Sequence, residues 1–181
     1  ISSFKKLAVD QSSEENRHFN VKQLVNEVFL TLAPQLKKQP VTFNLHCPDD
    51  LFITSKPGPI NQILINLLLN SLLHAFDGRE NGEITINIMN LSDQLNINYQ
   101  DNGNGVDHTI KSKIFDPFIT TKRGQGGSGL GLNIVFNLVD AKLGGAIKCL
   151  DAEQGVCFQV KVPMHSKVVP METKPKNISL V

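Results

Sequence analysis

Asp101-Asn102-Gly103-Asn104-Gly105 closes a run, residues 95–100, in which Leu95, Ile97 and Tyr99 alternate with polar neighbours. Alternation of period two marks a half-buried strand. A matching run lies just upstream, with Ile84, Ile86 and Ile88 separated by Thr85 and Asn87, and the polar residues 90–94 join the two. Two such runs joined by a short polar turn predict an antiparallel pair. The glycines of the quoted segment permit positive φ and close approach of the backbone to something flat or anionic, although a plain turn has the same composition. As a binding feature, Asp101 would be a fixed carboxylate accepting a hydrogen bond from an amino group.

Upstream, Pro57-Gly58-Pro59 is punctuation before a leucine-rich run over 60–76 without interior glycine or proline, which predicts a helix. Within it Asn66 and Asn70 stand four apart, so both amides emerge on one face. A buried amide left unpaired costs about 1–3 kcal/mol, so neighbouring backbone, a ligand or a metal must satisfy each. An amide oxygen suits Mg²⁺, a hard ion that keeps waters and phosphates as its other ligands. Residues 21–38 place Leu24, Val25, Val28, Phe29, Leu32 and Leu36 on one stripe and form an amphipathic helix ending before Pro40. Val41, Phe43 and Leu45, then residues 51–53, predict two strands joined by a turn. Residues 1–20 are mostly polar and read as a connector, with Phe4, Leu7 and Ala8 at helical spacing.

Downstream, residues 115–128 lack periodicity, and only from Leu130 do Leu132, Ile134, Val135, Leu138 and Val139 restore a helical stripe, closed by Gly144-Gly145. Gly124 to Gly131 therefore opens a helix, where unpaired N–H groups and the helix dipole favour phosphate; a flexible linker is the other reading. Each glycine within a helix costs about 1 kcal/mol relative to alanine, which favours a functional loop. It is not a P-loop, because Gly-Lys-Ser/Thr is absent and Lys122 and Arg123 precede the glycines. Ile147 and Cys149, then Val156, Phe158, Val160 and Val162, mark two last strands, and the patternless tail beyond Pro163 predicts disorder. The order of elements predicts an α/β (α+β) fold: a two-layer sandwich with three helices on one face of a mixed, mostly antiparallel sheet.

Composition narrows the chemistry. A chain of 181 residues, 40% hydrophobic and 19% charged, fits one domain with a proper core. With 18 basic and 17 acidic residues there is no global field to draw it to nucleic acid or an anionic membrane, so binding must be local. Three cysteines without CxxC spacing argue against a disulfide framework and a zinc knuckle, and fit a reducing cytoplasm. The longest apolar stretch is too short to span a bilayer. Ile1 in place of methionine, without a signal-peptide pattern, predicts a chain that begins inside a longer protein, where any membrane anchor would lie.

Asn66-Leu67-Leu68-Leu69-Asn70, Asp101 to Gly105, Phe115-Asp116-Pro117-Phe118 and Gly127 to Gly131, in this order, resemble the N box, first glycine box, F box and second glycine box of the GHKL superfamily of ATP-binding domains. The resemblance covers roughly residues 20–163 and implies ATP and Mg²⁺ as ligands. Carried over by position, it makes Asn70 the magnesium ligand and Asp101 the reader of adenine, with Gly103 and Gly105 beside the purine. Asn66 and His74 would border the phosphates, although His74 has the alternative of capping local backbone. Lys122 and Arg123 would neutralise charge on the γ-phosphoryl group, and Gly127, Ser128, Gly129, Leu130 and Gly131 would cradle phosphates.

Within the superfamily, hydrolysing members and anti-sigma kinases place a glutamate base where this chain has Asn66. A neutral imidazole is itself nucleophilic, so a kinase acting on histidine needs no such base. That position, with the phrases 115–122 and 127–132, resembles sensor histidine kinases in particular. Asp116, Ser128 and Cys157 depart from the residues usual there. None of the histidines at 18, 46, 74, 108 and 165 sits in the family's phosphoacceptor pattern. The expectation is a catalytic domain over 20–164, preceded over 1–19 by the remnant of a dimerisation helix and a connector, and followed over 165–181 by a disordered tail. It would bind Mg-ATP without phosphorylating itself, and the fragment would be monomeric. The cytoplasmic parent would be a homodimer whose partners are its own phosphoacceptor domain and a response regulator receiver, not nucleic acid. The alternatives are an ATP-hydrolysing conformational switch and a nucleotide-free interaction module.

Overall fold

A computed structural model describes residues 15–121 and 127–164. Strand β1 (Arg17–Asn20) leads into helix α1 (Val21–Leu36), followed by β2 (Val41–His46), β3 (Phe52–Ser55), helix α2 (Pro57–His74), β4 (Gly82–Leu91) and β5 (Gln94–Asp101). The short α3 (His108–Lys111), α4 (Gly131–Asn137), β6 (Ala146–Leu150) and β7 (Val156–Pro163) complete the order. Five strands form one sheet in the order β2-β4-β5-β7-β6, parallel only between β2 and β4. This is the predicted mixed, mostly antiparallel sheet.

Pairing register explains the core. Leu45, Ile86, Tyr99, Phe158 and Cys149 stand in one cross-strand row, and Ile88, Ile97, Val160 and Ile147 in the next. Because the pleat repeats every two residues, both rows face the same side. Against that side pack Val21, Val25 and Val28 of α1, Ile60, Ile63, Leu64, Leu67 and Leu68 of α2, and Val135 of α4, all buried. A five-residue π-helical turn, Leu138–Lys142, extends α4. Val135, Val139 and Leu143, each four residues from the last, are all buried along this stretch.

Helix ends follow local chemistry. Asn20 caps α1, its side chain accepting from the Gln23 N–H at 2.9 Å. Pro57-Gly58-Pro59 does not precede α2 but forms its first turn, where proline's fixed φ and missing N–H cost nothing. The four-residue α3 was not foreseen; Asp107 caps it by accepting from the Thr109 N–H at 2.8 Å.

Both strands expected after α1 are present, but they do not pair with each other: β2 joins the large sheet, whereas β3 pairs antiparallel with β1 in a separate two-stranded sheet. The residues between them fold back onto the start of α1, where Val21 N–H donates to Leu51 O at 2.9 Å and Asn20 Nδ2 to Asp49 O at 2.7 Å. β1 itself lies in the stretch read as connector, since four residues are too few to display period two. Of the expected helix remnant and connector over 1–19, residues 1–14 lie outside the described residues, as does the tail over 165–181.

Candidate functional site

Asp101 occupies the end of β5 in a row with Phe43, Ile84 and Val156, on the face that carries the core rows of the sheet. It is 2% exposed. A buried carboxylate costs several kcal/mol unless its oxygens are satisfied. Oδ1 accepts from the N–H of Gly103 at 3.0 Å and of Val156 at 3.2 Å, and Oδ2 accepts from the Ser71 hydroxyl at 2.6 Å. Of roughly four lone-pair sites on a carboxylate, one on Oδ2 is left to receive another donor. Ser71 in turn accepts from the Tyr99 hydroxyl at 2.8 Å, with Leu67 O a second acceptor for that hydroxyl at 3.2 Å. Burial drives the Tyr99 phenol well above its ordinary pKa, opposed in part by the Ser71 hydrogen bond.

The glycines around Asp101 have distinct tasks. A Cβ on Gly103 would stand 2.3 Å from Ala75 Cβ, so this glycine lets the loop press against the end of α2. Gly105 adopts φ +76°, the left-handed region where a side chain is strained. Gly155, assigned no role of its own from the sequence, packs on the Asp101 backbone so closely that a Cβ would overlap Asp101 O. That contact seats the Val156 N–H against the carboxylate.

Asn66 and Asn70 are half-buried on α2. Asn66 Nδ2 donates to Gln62 O one turn back at 2.8 Å, leaving its oxygen 3.7 Å from where a Cβ on Gly131 would be. Asn70 makes no side-chain hydrogen bond among the described residues. A half-buried amide oxygen without a protein donor, and no cluster of acids, histidines or cysteines able to hold a metal among the described residues, fits an ion that takes one protein oxygen and fills its shell with water and phosphate. His74 Nδ1 lies 3.2 Å from Thr121 Oγ1, beside the entry to the glycine-rich segment.

The glycine-rich segment is joined to Phe115–Phe118. Gly129 has φ +67°, and a Cβ on it would lie 2.6 Å from the Phe118 carbonyl carbon; Phe118 N–H donates to Gly129 O at 2.8 Å. Phe118 itself takes φ +67° and is 61% exposed. Asn133 Nδ2 donates to Phe115 O at 2.9 Å, tying the same stretch to α4. The Ser128 hydroxyl accepts from Leu130 N–H at 3.3 Å, while Gly127, Leu130 and Gly131 are half-buried. Lys122 and Arg123 lie outside the described residues.

Both glycine segments thus meet α2. Leu67, Ser71 and Ala75, four apart, hold the Tyr99–Gly103 side through Tyr99 Oη, the Asp101 carboxylate and Gly103. Asn66, Asn70 and His74, one residue ahead at each step, form the adjoining stripe, and its two ends meet Gly131 and Thr121. The candidate site lies where these two stripes face the first glycine segment and residues 127–131. Asn66 and Asn70 stood out in the sequence as polar residues in a leucine-rich helix; Ser71 carried no comparable signal.

A family model for the histidine kinase-, DNA gyrase B-, and HSP90-like ATPases matches residues 55–166, which hold all of these motifs. Sporulation kinase A of Bacillus subtilis (strain 168) is 27% identical over 164 residues, 90% of this chain and 26% of that protein. The chain spans 18% and 22% of two further relatives, so it is similar to about a quarter or less of their length. Among solved structures, the nucleotide-free catalytic domain of the histidine kinase ThkA superposes with a TM-score of 0.73 at 31% identity, covering 82% of this chain and 95% of that one. ThkA in complex with the response regulator protein TrrA superposes with a TM-score of 0.68 at 28% identity, covering 82% of this chain and 41% of that one. Among the described residues no helix is long and apolar enough to cross a membrane.

Proposed function

The chain belongs to the histidine kinase-, DNA gyrase B-, and HSP90-like ATPase family, and on that footing we propose that it is the catalytic domain of a sensor histidine kinase. It binds Mg-ATP and donates the γ-phosphoryl group to a histidine on the parent protein's dimerisation domain, for relay to a response regulator. The observation that carries this reading is Asp101: a carboxylate buried on a core row of the sheet, pinned by three donors, with one acceptor site left on Oδ2. The exocyclic amino group of adenine is a donor of the right kind for that site, with Gly103 and Gly105, whose bare Cα atoms let this segment pack against Ala75 and Gly155, beside the purine.

Residues 20–164 are the catalytic unit of this proposal. Asn70 offers its amide oxygen to Mg²⁺, which when bound neutralises phosphate charge. Asn66 and His74 border the phosphates, and Gly127, Ser128, Gly129, Leu130 and Gly131 cradle them by backbone N–H groups. Lys122 and Arg123 oppose the charge that develops on the γ-phosphoryl group. Asn66, whose Nδ2 is committed to Gln62 O, supplies no base for activating water, which supports transfer to an imidazole over hydrolysis. The setting is a cytoplasmic, homodimeric parent that acts on its own phosphoacceptor domain and not on nucleic acid.

Calorimetric titration with a non-hydrolysable ATP analogue, with and without Mg²⁺, tests the assignment. The parent chain should bind in the micromolar to submillimolar range. Asp101→Asn turns the open acceptor into a donor and should weaken binding by about tenfold or more, the loss of one hydrogen bond to a charged group. Asn70→Asp should change the dependence on Mg²⁺ instead. A folded parent without nucleotide affinity would leave an interaction module as the better reading, and steady phosphate release would favour an ATPase switch.

A further inference from the structure

We propose that Arg79 is a positioning residue for nucleotide binding, acting through the first glycine segment without touching the ligand. This rests on the reading of Asp101 to Gly105 as the adenine side of the site. Arg79 stands in the turn between α2 and β4. Its Nε donates to Asn104 Oδ1 at 3.0 Å and its Nη1 to Asn102 O at 2.7 Å, so one guanidinium spans both sides of Gly103.

The two asparagines spend their own side chains on the same turn. Asn102 Nδ2 donates to Asn81 O at 3.0 Å while its Oδ1 accepts from the Glu83 N–H at 2.8 Å, and Asn104 Nδ2 donates to Asp77 O at 3.2 Å. The backbone repeats the pattern, with Asn102 N–H donating to Glu83 O at 3.1 Å and Asn104 N–H to Ala75 O at 2.9 Å. These bonds leave the stretch between Asp101 and Gly105 little freedom of its own. Its position is inherited from the turn over residues 75–83.

Within that set Arg79 alone bonds to both asparagine residues from one side chain, and the geometry demands a planar fork with two donors at fixed spacing. Lysine carries the same charge but a single rotating ammonium, so it can reach one acceptor and not both. The fork therefore sets the spacing of Asn102 and Asn104. That spacing fixes where Gly103 bears on Ala75 and how Asp101 meets the base.

The test compares the parent chain with Arg79→Gln and Arg79→Lys. Calorimetry reads the affinity for a non-hydrolysable ATP analogue and for ADP, and NMR reads amide exchange at Asn102, Gly103 and Asn104. Both variants should bind ATP analogue and ADP about tenfold more weakly, with the ratio of the two affinities unchanged, because the defect lies on the base side. Both should also exchange the three amides faster while the amides of β4 and β5 keep their protection. Recovery of affinity in Arg79→Lys would show that only charge matters, and a changed ratio of ATP analogue to ADP would place Arg79 at the phosphates; either overturns the proposal. If the parent itself binds no nucleotide, the functional assignment has failed, and amide exchange still judges Arg79: unchanged exchange refutes its control of the loop.

Discussion

Ser71→Ala isolates the buried relay from Tyr99 to Asp101. The hydroxyl is 1% exposed as part of its residue, donates to Asp101 Oδ2 at 2.6 Å and accepts from Tyr99 at 2.8 Å. Alanine fits the same space, so packing changes by one oxygen atom. Two consequences differ in size. The Tyr99 hydroxyl keeps Leu67 O as an acceptor at 3.2 Å and loses little. Asp101 Oδ2 is left without its protein donor, and a hydrogen bond to a charged group is worth about 1.5–3 kcal/mol. The expected loss of stability is therefore about 2 kcal/mol, a large share of the roughly 5–15 kcal/mol that holds an ordinary domain. Tyr99→Phe, which leaves the Ser71 bond to Asp101 in place, should cost about 1 kcal/mol. Urea unfolding followed by far-UV circular dichroism measures both, and the double variant should lose about 0.5–1 kcal/mol less than the sum because the bonds form one chain. Nucleotide affinity should fall about tenfold in Ser71→Ala, since the carboxylate is then held at one oxygen only. A loss below about 0.5 kcal/mol in Ser71→Ala, or strict additivity with Tyr99→Phe, would refute the relay.

Two further outcomes are expected. Gly103→Ala forces a methyl to within 2.3 Å of Ala75 Cβ and 2.6 Å of its carbonyl oxygen, neither able to swing aside, and should cost about 1–3 kcal/mol in the same unfolding assay together with nucleotide binding. Tyr99 is the single tyrosine, with no tryptophan, so its ionisation is legible by ultraviolet absorbance. Its folded pKa lies above the unfolded value, so its contribution is fully present below about pH 10 and is lost as pH climbs towards the folded pKa. Tyrosinate should appear only as the circular dichroism signal of the fold disappears; ionisation near pH 10 in the folded protein would show that the phenol is not sealed in the core.

Much of the architecture was legible because it is written in short-range patterns. The stripe of α1, the leucine-rich α2 and the alternation of β4, β5 and β7 each repeat often enough to be read without a partner. β1 and β3 are four residues each, and their pairing with one another is a long-range fact that no local period encodes. The same division runs through the site. Asn66, Asn70 and Asp101 were visible as polar groups where their surroundings are apolar or glycine-rich. Ser71 and Arg79 were not, because a serine in a helix and an arginine in a turn acquire meaning only from contacts 30 and 23 to 25 residues away.

The position of Asp101 is what supports the proposed functional role over a purely structural one. An apolar residue in that register would continue the row of Phe43, Ile84 and Val156 without any need of donors, and the sheet would lose nothing by it. Instead the chain surrounds a carboxylate with Ser71 from α2, with the N–H groups of Gly103 and Val156, and with Gly155, whose bare Cα brings β7 near. Structural satisfaction explains three acceptor sites; it does not explain why a carboxylate stands there at all. The buried face of α2, from Ile60 through Ser71, locks the helix against rotation on the sheet. A helix so fixed carries Ser71 and Ala75 to the first glycine segment, and Asn66 and His74 to the second, at one constant angular offset. The two sides of the candidate site are consequently set by one core packing arrangement, and a change that turned α2 would disturb both together.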